Sequence, residues 1–340
     1  MNIQPGITWY VSYEYKKERG ISTNRFQITR GYVTLKFRPT DWFHARITLD
    51  QHQDDSGDWK VRLKYLYAQF ILPWESRILT NPSLEVGLVH NPWFDYEEHI
   101  NRYRAEGPMF IERNEVLNSA DMGLTFGVLL GRRLDKAYRE KVNPKYPGEF
   151  GSIQMGIYNG GGYHAWEVNE NKVFMTRESI RPLGSWFPNL QLTHFFIFGR
   201  SNLPLQICVD PPLCVPGQPR WILNLFMASM EHQYFTVTGQ YALGKGSQSG
   251  KAVEETNIPL SLEGYSIFGE IKLPWIHSSV MTRFDWFEWK HGTKKSLVLA
   301  GVAYHFFRHN FLLLSFDRAT IFAQDKTTEW HVKATIQVHL

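Results

Sequence analysis

The sequence predicts an all-β chain, residues 1–340, that folds as one transmembrane antiparallel β-barrel of about sixteen strands. The clearest observation is the stretch 328–340, TEWHVKATIQVHL, in which apolar residues from Trp330 to Leu340 alternate with polar or small ones. A strand turns successive side chains to opposite faces, so this ribbon has one apolar and one polar face and can close a barrel in lipid. Aromatic residues make up 15% of the chain, as the girdles of membrane barrels require. No apolar run approaches the ~20 residues of a spanning helix.

The same alternation predicts the other strands. Residues Phe43, Ala45, Ile47 and Leu49 are expected outside, with His44, Arg46, Thr48 and Asp50 inside. In WKVRLKYLYAQF the pattern places Val61, Leu63, Tyr65 and Tyr67 outside, and Lys60, Arg62 and Lys64 inside. Leu66 and Phe268 are inward candidates that would partly plug the lumen. Further strands are expected in ITWYVSYEYKK, YVTLKF, SLEVGLVHNPW, ADMGLTFGVLL, FGSIQMGIYNGGGY, KVFMTRESIRP, NLQLTHFFIFG, WILNLFMASM, YFTVTGQYALG, GYSIFGEIKL, SVMTRFDWFEW, SLVLAGVAYHFF and FLLLSFDRATIF.

The connections also alternate in length. Short ones, RPTD, EHQ, PWIH and RHN, follow even-numbered strands, and most long ones follow odd-numbered strands. Short turns at one rim and long loops at the other are typical of outer-membrane barrels. The stretch Arg132 to Pro147 is long for a short-turn position, and KHGT and AQDKT are short for loops. A soluble β-sandwich or a solenoid is the alternative, but no internal repeat supports it.

Net charge and short sequence motifs limit the ligands and the cellular location that the chain is expected to have. The formal net charge is +4, which fits an anion-favouring lumen or an ordinary solvated surface. No basic run or stacking motif indicates nucleic-acid binding. Residues 1–6 lack the features of a signal peptide, so a bacterial outer-membrane location implies a leader already removed. Without a C-x-x-C-H motif no c-type haem is expected, and no other cofactor is predicted.

Two loops stand out. The loop 199–220 holds Cys208 and Cys214 in ICVDPPLCVPG, which form a disulfide in an oxidising compartment or else remain free thiols. The stretch Phe94 to Ser119 has no alternation and is long and charged. Long loops of this kind are usually functional or disordered.

Several stretches, in order along the chain, resemble the phosphate-selective porin O and P family of outer-membrane channels. They are RGYVTLKFRPTDWFHARITLD, VGLVHNPWFDYEE, MFIERNEVLNSADMGLTFG, IQMGIYNGGGY, MTRFDWFE and AYHFFRHNFLLLSFD. The resemblance implies a sixteen-stranded trimeric channel whose third loop constricts the pore. That loop follows the fifth predicted strand and is therefore residues 94–119. The arginine and lysine ladder of the family has no residue-by-residue match in this sequence.

Selectivity in a channel comes from charged side chains at the constriction and from pore radius. On the predicted strands, Lys60, Arg62 and Lys64 lie at a period of two, so neighbours stand roughly 6.6–6.8 Å apart and could pass an anion along. Acids across the pore could equally balance them. Arg30 and Arg46 could join them from adjacent strands, and Arg283 with Asp285 could form a lumen-facing salt bridge. In the third loop, three arginines would repel cations, and two glutamates would repel anions. They are Arg102, Arg104 and Arg113, and Glu106 and Glu112.

Metal binding and catalysis find little support. His305 and His309 have His-x-x-x-His spacing, which converges on a metal only on a helix, and here a turn is expected. No nucleophile elbow accompanies the carboxylates, so we expect the protein not to be an enzyme. The alternative is a barrel lipase or protease whose catalytic groups lie on separate strands.

Two functions follow from this reading. The first is a passive channel for small hydrophilic solutes with a mild anion, even phosphate, preference. It would be a homotrimer that contacts membrane lipid and lipopolysaccharide. The alternative is a barrel scaffold that docks a partner protein at the cell surface through the loops 199–220 and 244–263.

Overall fold

A computed structural model describes the chain except for Met1, Asp55, Leu205, Pro211, Pro212, residues 255–257 and Gln324, and it describes 206–210 and 213–216 by their backbone alone. Sixteen antiparallel strands close into one barrel, which confirms the predicted fold class. Each barrel strand pairs with the next in the chain, and the last pairs with the first. A separate hairpin, β10 and β11, lies in the connection between β9 and β12.

The strands have the following bounds: β1 Asn2–Glu18, β2 Ile21–Arg38, β3 Phe43–Gln53, β4 Trp59–Ile71, β5 Leu79–His90, β6 Ala120–Leu130, β7 Gly151–Tyr158, β8 Val173–Ile180, β9 Leu190–Arg200, β10 Gln206–Asp210, β11 Leu213–Pro216, β12 Arg220–Glu231, β13 Phe235–Lys245, β14 Ser261–Leu273, β15 Ser278–Trp289, β16 Lys294–Phe307, β17 Asn310–Phe322 and β18 Lys326–His339. The helices are α1 Phe94–Ile100, α2 Phe110–Arg113 and α3 Lys136–Lys141. Among the residues described, no helix has both the length and the apolar character needed to cross a membrane.

The terminal strand closes the barrel as its sequence predicts. β18 pairs with β1 from Thr8 opposite His339 to Glu18 opposite Glu329. Val332 and Ile336 are exposed on the outer face, whereas Thr335 and Gln337 are buried. The alternation of the sequence is therefore the alternation of the wall.

The two rims differ in their connections. The rim that holds both ends of the described chain, here the turn end, carries the connections 39–42, 72–78, 131–150, 181–189, 232–234, 274–277 and 308–309. The opposite rim, the loop end, carries 19–20, 54–58, 91–119, 159–172, 201–219, 246–260, 290–293 and 323–325. Most turn-end connections are short, as predicted, and 131–150 is the long exception that the sequence had indicated.

A β-bulge changes the predicted facing of β4. Between β3 and β4 the register shifts so that Thr48 pairs with Tyr65 while Leu49 pairs with Leu63. Lys64 and Tyr65 are then both buried on the inner side, and Leu66 is 50% exposed on the outer side. The expected outward positions of Tyr65 and Tyr67 and the inward position of Leu66 are wrong, because one extra residue in a strand reverses the alternation beyond it.

Several strands carry apolar side chains on both faces. On β12, Trp221, Leu223 and Leu225 are fully buried inside the barrel, and Phe226 is exposed outside. Phe268 on β14 is buried inside, as expected. An inner wall of this kind needs an apolar cover, and the connection 91–119 supplies it.

Candidate pore and constriction site

The third loop, residues 91–119, folds into the barrel and packs against one side of its inner wall. Trp93, Phe94 and Phe110 of the loop are almost fully buried. They belong to one apolar cluster with Phe195, Trp221 and other inward residues of β8, β9, β12, β13, β14 and β15. The expected loop 94–119 thus contains helices α1 and α2 and a hydrophobic core of its own, so it is a folded element rather than an open strand connection.

Hydrogen bonds fix the loop to the wall at several points. The phenol of Tyr96 lies 3.1 Å from Ser179 Oγ and 2.8 Å from Thr193 Oγ1. The phenol of Tyr103 donates to Glu270 Oε1 at 2.7 Å and also contacts Ser279. These contacts join the loop to β8, β9, β14 and β15, which are distant in sequence.

Glu97 is a buried carboxyl at the base of the loop. It accepts hydrogen bonds from Trp93 Nε1 at 2.8 Å and from Gln240 Nε2 at 2.6 Å. Burial raises the pKa of Glu97 to about 7, although Arg283, Gln240 and Trp93 act in the opposite direction. Its protonation state therefore changes near neutral pH. The negative charge that forms on deprotonation is buried away from water.

Most charges of the third loop pair with each other. Arg104 contacts Glu112 through both terminal nitrogens and lies 3.2 Å from Glu98 through Nε. Arg113 Nη2 lies 3.1 Å from Glu106. Burial disfavours ionisation of Glu112, yet the charges of Arg104 and Arg30 lower its pKa to about 2. Four of the five site residues predicted in the loop are thus mutually neutralised, and Arg102 is the exposed one.

Arg283 and Asp285 form the buried salt bridge that the sequence suggested, with 2.8 Å from Arg283 Nε to Asp285 Oδ1. Arg283 Nη1 also lies 3.4 Å from the carbonyl oxygen of Pro108 in the third loop. The pair therefore supports the loop from β15 as well as facing the lumen.

Opposite the filled side, β2, β3 and β4 present a basic wall, defined here as Arg30, Lys36, Arg46 and Lys64. The first and last of these, Arg30 Nη1 and Lys64 Nζ, donate to the same phenol oxygen of Tyr32 at 2.9 and 3.0 Å. In the part of the chain that the structure describes, no carboxylate lies within 4.0 Å of the charged nitrogens of these four residues. The wall therefore carries a positive charge that no ion pair neutralises.

Aromatic rings separate the cations of this wall. The guanidinium of Arg46 lies 4.6 Å from the ring centre of Tyr65, and its Nη1 lies 3.0 Å from His90 Nε2. Lys64 Nζ lies 4.5 Å from the ring of Tyr32. Cation–π contact holds a charged group in place without cancelling its charge.

The three basic residues that were predicted to line the lumen on β4, Lys60, Arg62 and Lys64, have different environments. Lys60 is exposed at the loop end and pairs with Asp54. Arg62 Nε lies 2.9 Å from Asp50 Oδ2, and its guanidinium stacks 4.9 Å from Tyr163. Of the three, Lys64 belongs to the basic wall. The bulge beside it breaks the regular spacing expected from the sequence.

The wall next to it, on β1, β18 and β17, continues the barrel from β2 and is mixed in charge. Lys333 Nζ lies 3.1 Å from Asp317 Oδ2 and 3.3 Å from the carbonyl oxygen of Glu106 in the third loop. His331 Nδ1 lies 3.2 Å from Glu14 Oε1. Along this part of the wall, cations without carboxylate partners on β2, β3 and β4 are therefore followed by paired charges on β1, β18 and β17.

Sequence reasoning missed several contributors. The rings of Tyr32 and Tyr163 lie 4.5 and 6.0 Å from Lys64 Nζ, and Lys145 lies near Lys36 from the turn end. The position of Tyr163 in the glycine-rich tip 160–163 hinted at an inward bend, but no local signal marked Tyr32. Its role depends on Arg30 and on a lysine two strands away.

The remaining predicted sites are of two kinds. Cys208 stands opposite Cys214 in the β10–β11 register, but the disulfide prediction concerns side chains outside the described part of the structure. Within the described residues, no group of three or more His, Cys, Asp or Glu side chains is placed to hold a metal ion. His305 lies on β16 and His309 in the adjoining turn.

No protein-family model and no curated protein sequence matches the chain. Solved structures match its fold over almost the full length. The anion-selective porin from Comamonas acidovorans has a TM-score of 0.64 at 8% identity, covering 99% of both chains. Salmonella typhi OmpF in complex with daunomycin has a TM-score of 0.62 at 10% identity, covering 99% of this chain and 97% of that one. The trimer form of in-vitro folded OmpT, an outer membrane protein of Vibrio cholerae, has a TM-score of 0.60 at 10% identity, covering 99% and 100%. The chain thus has the barrel fold of outer-membrane porins.

Proposed function

We propose that this protein is an outer-membrane channel for passive diffusion of small hydrophilic solutes, with a mild preference for anions. The observation that carries the proposal is the basic wall, which lines the lumen beside the third loop and has, among the described residues, no carboxylate within 4.0 Å of its charged nitrogens. The closed barrel and its apolar outer face support the membrane location, with contacts to lipid and lipopolysaccharide. The proposal assigns no catalytic step to the chain.

The fold supports this proposal together with the named neighbours. An anion-selective porin shares the architecture, but at 8% identity its selectivity is a property of that protein. For the present chain, the expected selectivity follows from the wall itself, because charges in a narrow, partly desolvated passage repel co-ions and concentrate counter-ions.

Diffusion of solutes tests the channel directly. The purified barrel, reconstituted in liposomes, should allow swelling in isotonic solutions of small neutral sugars, with rates that fall as sugar size rises. Heat-modifiable migration on a gel confirms that the barrel is folded. Folded protein that causes no swelling and no conductance would contradict the proposal.

Within the anion preference, we propose that phosphate binds at the basic wall. Arg30 and Lys64 converge on one oxygen atom of Tyr32, and an oxyanion oxygen could take the same two donors. Millimolar phosphate should then reduce the chloride current in the wild type and do so less in Arg30→Gln. Equal reduction in both would remove phosphate from the proposal and leave a general anion preference.

We also propose a homotrimer. Residues 21–30 of β2 pair with β1, whereas β2 meets β3 only from Gly31 to Phe37, so a long strand edge stands free above β3 within the described structure. Ile21 and Phe26 on this stretch are 70% and 80% exposed. An exposed apolar edge is normally covered, and the OmpT neighbour has a trimer form. We expect the wild type to have the mass of a trimer in detergent and Phe26→Asp to have a lower mass. A monomeric wild type would contradict the proposed homotrimer.

A further inference from the structure

We infer that the β6–β7 connection, residues 131–150, is a second constriction segment that enters the lumen from the turn end and holds the third loop in place. We name it the turn-end plug. The inference rests on the proposed channel function and adds a determinant of pore size to it.

The plug differs from the other turn-end connections by its length and by an α-helix, whereas 181–189 and 274–277 contain only single 3-10 turns. Helix α3 starts after Asp135, whose Oδ1 accepts from the backbone N–H of Tyr138 at 2.7 Å. Its two ends pair with each other, since Leu134 N donates to Pro147 O at 2.7 Å and Glu149 N donates to Arg132 O at 2.7 Å. A short ladder therefore closes the base, and the chain between 135 and 146 is free to project inward.

The barrel wall holds both sides of this base. Thr80 Oγ1 donates to the carbonyl of Gly131 at 2.7 Å. Arg181 Nη1 donates to the carbonyls of Gly148 at 2.6 Å and Tyr146 at 3.2 Å. Thr80 lies on β5 and Arg181 directly after β8, so the base of the plug is bonded on both sides.

Its inner end bonds to the third loop. Lys145 Nζ lies 2.8 Å from Asp95 Oδ2, and the phenol of Tyr146 donates to the same carboxylate. Asn143 Nδ2 donates to the carbonyl of His99 at 3.3 Å and to Glu231 Oε2 at 2.9 Å. Burial opposes ionisation of Asp95, but Lys145 and the nearby histidines hold the pKa of this carboxyl well below its ordinary value. Asp95 is therefore a charged partner that Lys145 and Tyr146 share.

Arg177 of β8 joins the two segments. It is fully buried, and its guanidinium lies 4.5 Å from the ring centres of both Tyr96 in the third loop and Tyr146 in the plug. Its Nη1 donates to Ser152 Oγ at 3.0 Å. A buried cation between two aromatic faces is held by attraction to both rings. Displacing either ring would leave a desolvated charge with fewer contacts.

The consequence is a one-sided passage. The third loop and the plug together cover the inner wall from β5 round to β15, and solutes are left with the space beside the basic wall. Lys145, one third exposed, is close enough for its charge to act on Lys36, which stands opposite Arg46 in the β2–β3 register. The plug thus bounds the turn-end half of the passage.

The test replaces residues 135–146 by the two-residue turn Asn-Gly, which the pairing of Leu134 with Pro147 can accommodate. Because conductance follows pore dimensions, we expect a rise in single-channel conductance of at least about 1.5-fold. The double substitution Lys145→Ala with Tyr146→Phe keeps the chain length and should increase open-channel noise. Lys141→Ala is the matched control: it removes one exposed lysine from the same segment, and within the described residues no hydrogen bond or ion pair joins that side chain to the third loop.

The outcomes separate this inference from the proposed function. A conducting wild type with unchanged conductance in the folded deletion variant would overturn the plug. If the deletion variant does not fold, unchanged conductance and noise in the double variant would overturn it. A silent wild type with a conducting deletion variant would keep the plug and refute an open channel. Silence in both would refute both.

Discussion

Lys64 on β4 donates a hydrogen bond of 3.0 Å to the phenol oxygen of Tyr32 on β2, across the intervening strand β3. Arg30 donates to the same oxygen at 2.9 Å. Two cations therefore share one neutral acceptor, the phenol of Tyr32. A carboxylate in the same place would have cancelled the charge of one of them. The basic wall retains its charge for this reason, and the predictions below depend on it.

The first prediction concerns the wall itself. Replacing Arg30 and Lys64 together by Gln should lower the chloride-over-potassium permeability ratio by about twofold or more, because fixed charge at a narrow passage sets counter-ion concentration. The readout is reversal potential in a planar bilayer. Lys60→Gln, at an exposed position paired with Asp54, should leave the ratio near the wild-type value. An equal fall in the control would show that rim charge, rather than the wall, determines the preference.

Ionic strength should weaken the preference. Screening lengths fall from about 10 Å at 0.1 M to about 3 Å at 1 M salt, so the wall acts across the passage only in dilute salt. We expect the permeability ratio to approach the value for free diffusion at high concentration. A ratio independent of salt would instead indicate tight binding of anions at discrete sites.

The buried carboxyl of Glu97 predicts a pH dependence of the third loop. Its pKa in the folded protein, about 7, is above the ordinary value of 4.5, so the protonated form is the one the fold favours. The contribution to stability is then full below pH 4.5 and is lost as pH rises through about 7. Amide exchange of residues 94–119, corrected for the intrinsic rate, should be slower at pH 5 than at pH 8. Glu97→Gln should abolish that difference; persistence of the difference would assign it to another group.

Packing of the loop on the wall gives a stability prediction. Trp93 is fully buried in the apolar cluster, and Trp93→Ala should destabilise the inserted loop by about 3–5 kcal/mol. Protease cleavage within 91–119 should become detectable in the folded barrel. Trp186→Ala removes a side chain that is 84% exposed and should leave the loop resistant. Cleavage in both variants would indicate general unfolding instead.

The wall of the barrel could be predicted from the sequence because its rule is local. Alternation along 328–340 identifies the closing strand, and turn residues such as RHN identify the short connections. The same rule fails at Lys64 and Tyr65, since a bulge depends on the fit between two paired strands and not on either alone.

The site was less predictable because its contacts are distant in sequence. Arg104 and Glu112 are both visible in the third loop as charges, but their mutual pairing depends on the turn between two short helices. The length of the segment from Arg132 to Pro147 was visible as an exception. Its attachment to Asp95 depends on how the third loop folds inside the barrel, so no local pattern encodes it.

Reversal potential under a KCl gradient measures whether the passage prefers anions. With the dilute side near 0.1 M, where screening is still about 10 Å, the wild-type channel should reverse at the sign expected for chloride. The shift should shrink in the Arg30→Gln, Lys64→Gln double variant. A wild-type potential of the sign expected for potassium would show that the basic wall does not govern which ions pass.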